Sequence, residues 1–274
     1  MRLNVNGLSF NVVDEGAGPP VLLLHGFPDS SAVWRHQIPA LVDAGYRVIA
    51  PDLRGFGESD RPDGVDAYHL ELVVQDVLGI LGALGLQRVS AVGHDWGASL
   101  AWALAGAAPQ AVERLVVLAV GHPSGYFTDQ IRQRELAWYT LFFQFTGVAE
   151  DALRRDDWAL FRLFVRGDGD VERNVADLDR PGALTAALNW YRANFSPVAF
   201  GQVTPPQFPS VDCSVLGVWS DRDHALGEAQ MLASQKHVTG AWRYVRFDGV
   251  GHCIPLGAPE KLTTLLLEFL EECP

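Results

Sequence analysis

Short apolar runs alternate with amphipathic stretches through the first 120 residues. Residues 21–24, 47–50, 89–92 and 115–120 are apolar runs of the length and composition of buried parallel strands. Between them, 34–44 and 70–84 carry the spacing of helices. This βαβ rhythm predicts a parallel sheet with helices on its faces. From 121 to 209 the rhythm stops, and the chain turns aromatic and helical, with helical patches at 137–145, 157–165 and 184–194. A proline-rich stretch, 204–209, closes that segment, and strand character resumes at 213–219 and 242–247. Pro259 opens a last helix whose Leu262, Leu265, Leu266, Phe269 and Leu270 fall on one face. The pattern predicts an α/β core, 1–120 and 210–274, with a mostly parallel central sheet flanked by helices and an inserted helical cap, 121–209.

Composition narrows the function. The 274 residues hold 21 Lys and Arg against 33 Asp and Glu, a formal charge of -12, and no basic cluster follows a phosphate backbone. Nucleic acid is therefore not an expected partner. No apolar run approaches the roughly 20 residues a membrane helix needs, and residues 1–18 lack a secretory pattern. A soluble, cytoplasmic enzyme is expected. Cys213, Cys253 and Cys273 are too few and too scattered for a disulfide frame or a metal site, so they read as reduced thiols. Cys253 follows a candidate catalytic histidine and reads as a wall residue. The sequence does not give an oligomeric state.

The chemistry concentrates at Gly93-His94-Asp95-Trp96-Gly97, which has the G-x-nucleophile-x-G spacing of a strand-to-helix elbow. Glycines let backbone pack closely around a strained turn that lifts the middle residue into a pocket. Here that residue is Asp95, where serine would imply acyl transfer. A carboxylate is already ionised at neutral pH and can attack saturated carbon, leaving an alkyl ester. The plainer role for Asp95 is a helix N-cap. Hydrolysis of such an ester needs a base and an acid to orient it. Gly251-His252 follows the 242–247 strand, and the acid is Asp221 or Asp223, with spacing favouring Asp223.

Five motifs resemble the α/β-hydrolase superfamily: His25-Gly26-Phe27-Pro28, Asp52-Leu53-Arg54-Gly55-Phe56-Gly57-Glu58-Ser59, residues 93–97, Ser220-Asp221-Arg222-Asp223 and Gly251-His252. Ser220 stands where the superfamily usually has glycine. More narrowly, HGFP paired with GHDWG resembles the soluble epoxide hydrolases, as do 188–194 (LNWYRAN) and 138–144 (WYTLFFQ). The resemblance implies that Asp95 forms an alkyl ester with an epoxide, that His252 activates water to release a vicinal diol, and that Tyr139 and Tyr191 are ring-opening phenols. The plainer role for both tyrosines is helix packing. Phe27 and Trp96 would give backbone N–H groups to an oxyanion hole, or their side chains line the pocket. Trp138, Phe142 and Trp190 are expected to meet an apolar substrate. His25 and His94 read as structural, and Asp14, Asp29 and Asp52 as turn-stabilising residues. The mechanism needs no metal or organic cofactor.

Two rivals remain. A haloalkane or haloacid dehalogenase would use the same aspartate but expel halide, which needs no phenol acid. A hydrolase-fold ligand-binding protein would keep the pocket without turnover, since geometry decides catalysis. The identity of the epoxide, its regio- and enantioselectivity and the pathway are not written in the sequence.

Overall fold

A computed structural model describes residues 1–126, 129–201 and 207–272. Its eight strands are β1 (Arg2–Val5), β2 (Leu8–Gly16), β3 (Pro20–Leu24), β4 (Arg47–Pro51), β5 (Val89–His94), β6 (Val112–Leu118), β7 (Ser214–Ser220) and β8 (Trp242–Phe247). They form one sheet in the order β1-β2-β4-β3-β5-β6-β7-β8, antiparallel at β1-β2 and β2-β4 and parallel elsewhere. Asn6-Gly7, with φ of 51° and 79°, turns β1 into β2 and pairs Val5 with Leu8. Two residues with positive φ suit the right-handed twist of a tight hairpin. This hairpin adds an antiparallel edge that the apolar runs do not announce. It also moves Asp14 out of a turn and into β2, where its carboxylate meets Arg47 at 2.8 Å.

Helices α1 (Gln37–Asp43), α2 (Leu70–Ala83) and α3 (Trp96–Ala107) cover the sheet. The chain between β6 and β7 runs through α4 (Gln130–Leu136), α5 (Trp138–Phe142), α6 (Val148–Val165), α7 (Val171–Leu178), α8 (Ala183–Asn194) and α9 (Pro197–Phe200). After β7 come α10 (Glu228–Ala233), α11 (Ile254–Gly257) and α12 (Pro259–Glu271). Side chains alternate across β3: Val21 and Leu23 join the layer of α1 and α12, whereas Leu22 and Leu24 face α2 and α3. All five residues of the α12 stripe are buried. The expected 34–44 helix is shorter, with a 3₁₀ turn at Ser31–Trp34 preceding α1. β6 starts earlier than expected and stops at Leu118, because Ala119 takes a φ of 70°. Residues 204–206 and Cys273 lie outside the described residues.

Two features set the site. The chain leaves β3 for β4 on one side and returns to β5 on the other, so the loops after β3 and β5 diverge and leave a crevice at the strands' carboxyl ends. Over that crevice sits α8, tied to the sheet layer by buried polar contacts. Trp190 Nε1 donates to the Arg54 carbonyl at 3.0 Å, and Asn194 bonds Leu70 N and Tyr68 O, each at 2.9 Å. Arg192 pairs with Glu150 of α6 at 2.8 and 2.9 Å, joining the helices to one another.

Candidate active site

Asp95 joins β5 to α3 with φ 53° and ψ -120°, a conformation that costs an L residue about 1–3 kcal/mol. Its surroundings explain how the turn persists. A Cβ at Gly97 would strike the Leu24 carbonyl, one at Gly93 would strike Gly97, and one at Gly26 would strike Asp95 itself. Asp95 occupies the N-cap position, and its carbonyl accepts from Ala98 N at 2.9 Å and Ser99 N at 3.1 Å. The side chain, however, makes no cap bond. Instead Oδ1 accepts from Phe27 N at 2.7 Å, and Oδ2 lies 3.5 Å from His252 Nε2.

His252 completes a line. Its Nδ1 lies 2.8 Å from Asp223 Oδ2, while Asp223 Oδ1 accepts from Ala225 N and Leu226 N at 2.8 and 2.9 Å. Asp221 points elsewhere, accepting from Gly249 N at 2.6 Å and facing Arg246. Geometry thus separates the two candidate acids. Burial opposes charge on His252, yet Asp223 and Asp95 hold its pKa well above the ordinary imidazole value. Burial likewise opposes the Asp95 carboxylate, but His252, His94 and the Trp96 backbone N–H keep its pKa below the usual aspartate value. The resting pair is therefore carboxylate and imidazolium.

A narrow cavity opens over this line. Asp95, His252, Tyr139 and Tyr191 share its lining with Phe27, Asp29, Phe164 and His224. The two tyrosine rings meet edge to face with centroids 5.7 Å apart. Burial, together with nearby Asp95, pushes both phenols well above the ordinary tyrosine value, so each keeps its proton as a donor. The arrangement places an ionised carboxylate and two protonated phenols around one void. Among the described residues no group of three or more His, Cys, Asp or Glu side chains is placed to hold a metal ion. Nor is any helix among them long and apolar enough to cross a membrane.

Residues 19–259 match the family described as alpha/beta hydrolase fold. The chain belongs to that family. It is 44% identical to epoxide hydrolase 2 of Siraitia grosvenorii, across 98% of this chain and 97% of that one. Epoxide hydrolase A of Mycobacterium tuberculosis is 32% identical, across 98% and 96% respectively. Among solved structures, Bacillus megaterium epoxide hydrolase in complex with an inhibitor aligns with a TM-score of 0.89 at 25% identity, covering 99% of this chain and all of that one.

In this α/β-hydrolase the three aromatics expected at the substrate do not line this cavity. Trp190 is fully buried behind the cavity, against Phe56 and Trp96, with its N–H committed to Arg54. Trp138 is 49% exposed and meets the rings of Phe142 and Phe164, and neither Trp138 nor Phe142 lines the cavity. The reason is helix rotation: α5 turns Tyr139 inward, which sends its neighbour Trp138 out. Phe164, Val165 and His224 supply the wall instead. His25 is structural, as expected, with Nε2 accepting from Leu53 N at 2.9 Å. His94 Nε2 donates to the His252 carbonyl at 2.9 Å, and burial lowers its pKa to about 4. Asp52 accepts from Ser31 N, Glu58 N and Asn11 Nδ2, which braces the loop after β4.

Asp29 departs from its expected turn role. Its backbone N–H does close a turn on Gly26 O, but its carboxyl faces the cavity. There burial, then Asp95 and Asp170, raise its pKa to about 7. Asp168 is the other unforeseen carboxylate. It arrives from the loop between α6 and α7, and no spacing in the sequence connects it to His252.

Proposed function

We propose that this hydrolase opens an apolar epoxide to a vicinal diol through an ester on Asp95. The reading treats 121–209 as a cap on the core formed by 1–120 and 210–274. The observation that carries it is the single cavity with ionised Asp95 on one wall and the protonated phenols of Tyr139 and Tyr191 on another. An acyl-transfer enzyme has no use for two phenols lining the same cavity as its nucleophile. Epoxide opening does, because the ring oxygen develops negative charge as its C–O bond breaks. The names of the relatives point the same way.

In the first step Asp95 Oδ2, the oxygen free of Phe27, attacks an epoxide carbon. The C–O bond breaks, and the alkoxide takes a proton from a tyrosine, leaving a 2-hydroxyalkyl ester. The resting His252 imidazolium yields its proton to restore that tyrosine, and in the second step the now neutral His252 removes a proton from water while the hydroxide adds to Asp95 Cγ. Phe27 N–H and Trp96 N–H receive the oxyanion. Collapse cleaves the acyl–oxygen bond and the diol leaves with the oxygen that attacked. His252 gives the water's proton to the departing alkoxide and takes up the one left on the Asp95 carboxyl, so the resting pair re-forms with one oxygen of water in Asp95. A single turnover in ¹⁸O-water tests this directly. The label is expected in the Asp95 peptide, and label in the first diol would refute the ester.

One observation favours a second reading, dehalogenation. Trp96 Nε1 is buried beside Tyr191 with no well-formed hydrogen bond among the described residues, and an indole N–H is a halide donor. Halide release from a haloalkane with no diol from an epoxide would select it.

A further inference from the structure

The base-bearing loop is gripped from two directions. From the core, Ser220 Oγ donates to the Gly251 carbonyl at 2.7 Å, and His94 donates to the His252 carbonyl. From the helical segment, Asp168 Oδ2 accepts from Cys253 N at 3.0 Å. Asp168 also lies flat against Gly251, where a Cβ would strike its carboxylate. Its carboxylate therefore spans the residues on either side of His252.

The loop that delivers Asp168 is shaped for this. Arg166, Gly167 and Gly169 all take left-handed φ, at 53°, 73° and 76°. Two of these positions suit glycine, and Arg166 carries the strain of a non-glycine residue there. A Cβ at Gly169 would rest 3.4 Å from Cys253 Sγ, so backbone packs directly on the residue after the base. Next to it, Asp170 pairs with Arg35 of the core at 3.3 Å. Asp168 is thus the point where the segment carrying both phenols touches the backbone carrying the base.

We infer that Asp168 is a positioning residue for ester hydrolysis, holding His252 against Asp223 and Asp95 by its bond to Cys253 N–H. The inference rests on the proposed two-step reaction and deepens it, because only the second step uses His252 as a base. Alkylation should not feel Asp168. Hydrolysis should, since a small displacement of a general base from its water is costly.

The test separates the two steps with styrene oxide as probe, following the Asp95 adduct by rapid quench and mass spectrometry. Asp168→Ala should slow adduct decay about tenfold, the worth of one charge-assisted hydrogen bond, with adduct formation unchanged. Asp168→Asn should restore decay, because its amide oxygen accepts the same bond. Gly251→Ala, which displaces Asp168 without altering it, should resemble Asp168→Ala. Arg35→Ala should leave both steps as they are. Equal loss in both steps, unchanged decay, or failure of Asn to rescue would overturn the inference. Should no adduct form even in His252→Gln, the reaction scheme fails, and the positioning is judged by NMR. The His252 Nδ1–H resonance should be lost or shifted in Asp168→Ala and return in Asp168→Asn, and an unchanged resonance in both refutes it.

Discussion

The carboxyl edge of the sheet and the helices above it hold their functional groups by different means. At the sheet edge, Asp95 and Asp223 are fixed by backbone N–H groups at 2.7 to 2.9 Å, and Asp95 also by glycines whose places admit no side chain. In the helical segment, Tyr139 and Tyr191 sit mainly among rings, Phe143, Phe164 and each other for the first, Phe27, Trp96 and Phe143 for the second, with side-chain rather than backbone hydrogen bonding, to Tyr126 and Trp96 respectively. Backbone hydrogen bonds dictate position to tenths of an ångström, whereas aromatic packing tolerates small shifts. The division matches the proposed chemistry. Ester hydrolysis needs one exact water trajectory, while ring opening needs two donors that can follow epoxides of different shape.

The comparison breaks first at His252. His252→Gln should abolish turnover, by the roughly 10⁴-fold of losing an essential base, while a mass equal to the substrate accumulates on Asp95. Failure to alkylate would mean that the sheet edge acts as one unit in both steps. The double change Tyr139→Phe with Tyr191→Phe should remove acid catalysis of ring opening, roughly 10²–10⁴-fold in the alkylation rate. Each single change should cost far less, because one donor remains. Equal losses in the two singles and the double would show both rings acting as a rigid pair, contrary to the tolerance argued here.

Asp223→Asn should then lower hydrolysis by about 10²-fold through misorientation of the imidazole, and Asp221→Asn should stay near wild type. Reversal of that order in steady-state rates would remove Asp223 from the line. A subtler contrast concerns stability. The pairing of His252 with both carboxylates raises its folded-state pKa above 6.5, so its stabilising contribution is complete below that pH and lost as pH rises through the raised value. Urea midpoints of wild type should therefore fall on alkaline titration more than those of His252→Gln. Identical slopes would show that the imidazolium is not paired. Smallest in catalytic effect, Trp190→Phe should cost about 1–3 kcal/mol of stability by opening a void and orphaning the Arg54 carbonyl, with little change in alkylation.

The sequence made the sheet edge legible because the features that build it are local. Gly93, Asp95 and Gly97 are a few residues apart, and each glycine marks a close approach that spacing alone reveals. The cavity wall was illegible for the opposite reason. Whether Trp138 or Tyr139 faces inward depends on the rotation of a five-residue helix, and α6 is broken at 155–158, where Arg155 is extended and Asp156, Asp157 and Trp158 are left-handed with no glycine among them. No periodicity survives such a break. Asp168 and His224 reach the cavity through loops whose course depends on packing between distant segments. The Asn6-Gly7 dipeptide is a different case, since it carries a clear hairpin signal that a search for apolar runs does not weigh.

The charge balance around His252 gives the proposed cycle an interlock. Two carboxylates keep a proton on the resting imidazole, so an idle cavity offers water no base and cannot squander activated hydroxide on a passing ester or leave Asp95 unready. Once Asp95 becomes an ester it is neutral, and one of the two attractions holding that proton disappears. Burial, which always disfavoured the imidazolium, then weighs against Asp223 alone, and the ring becomes free to deprotonate. In the proposed cycle the covalent intermediate would thereby arm the group that destroys it.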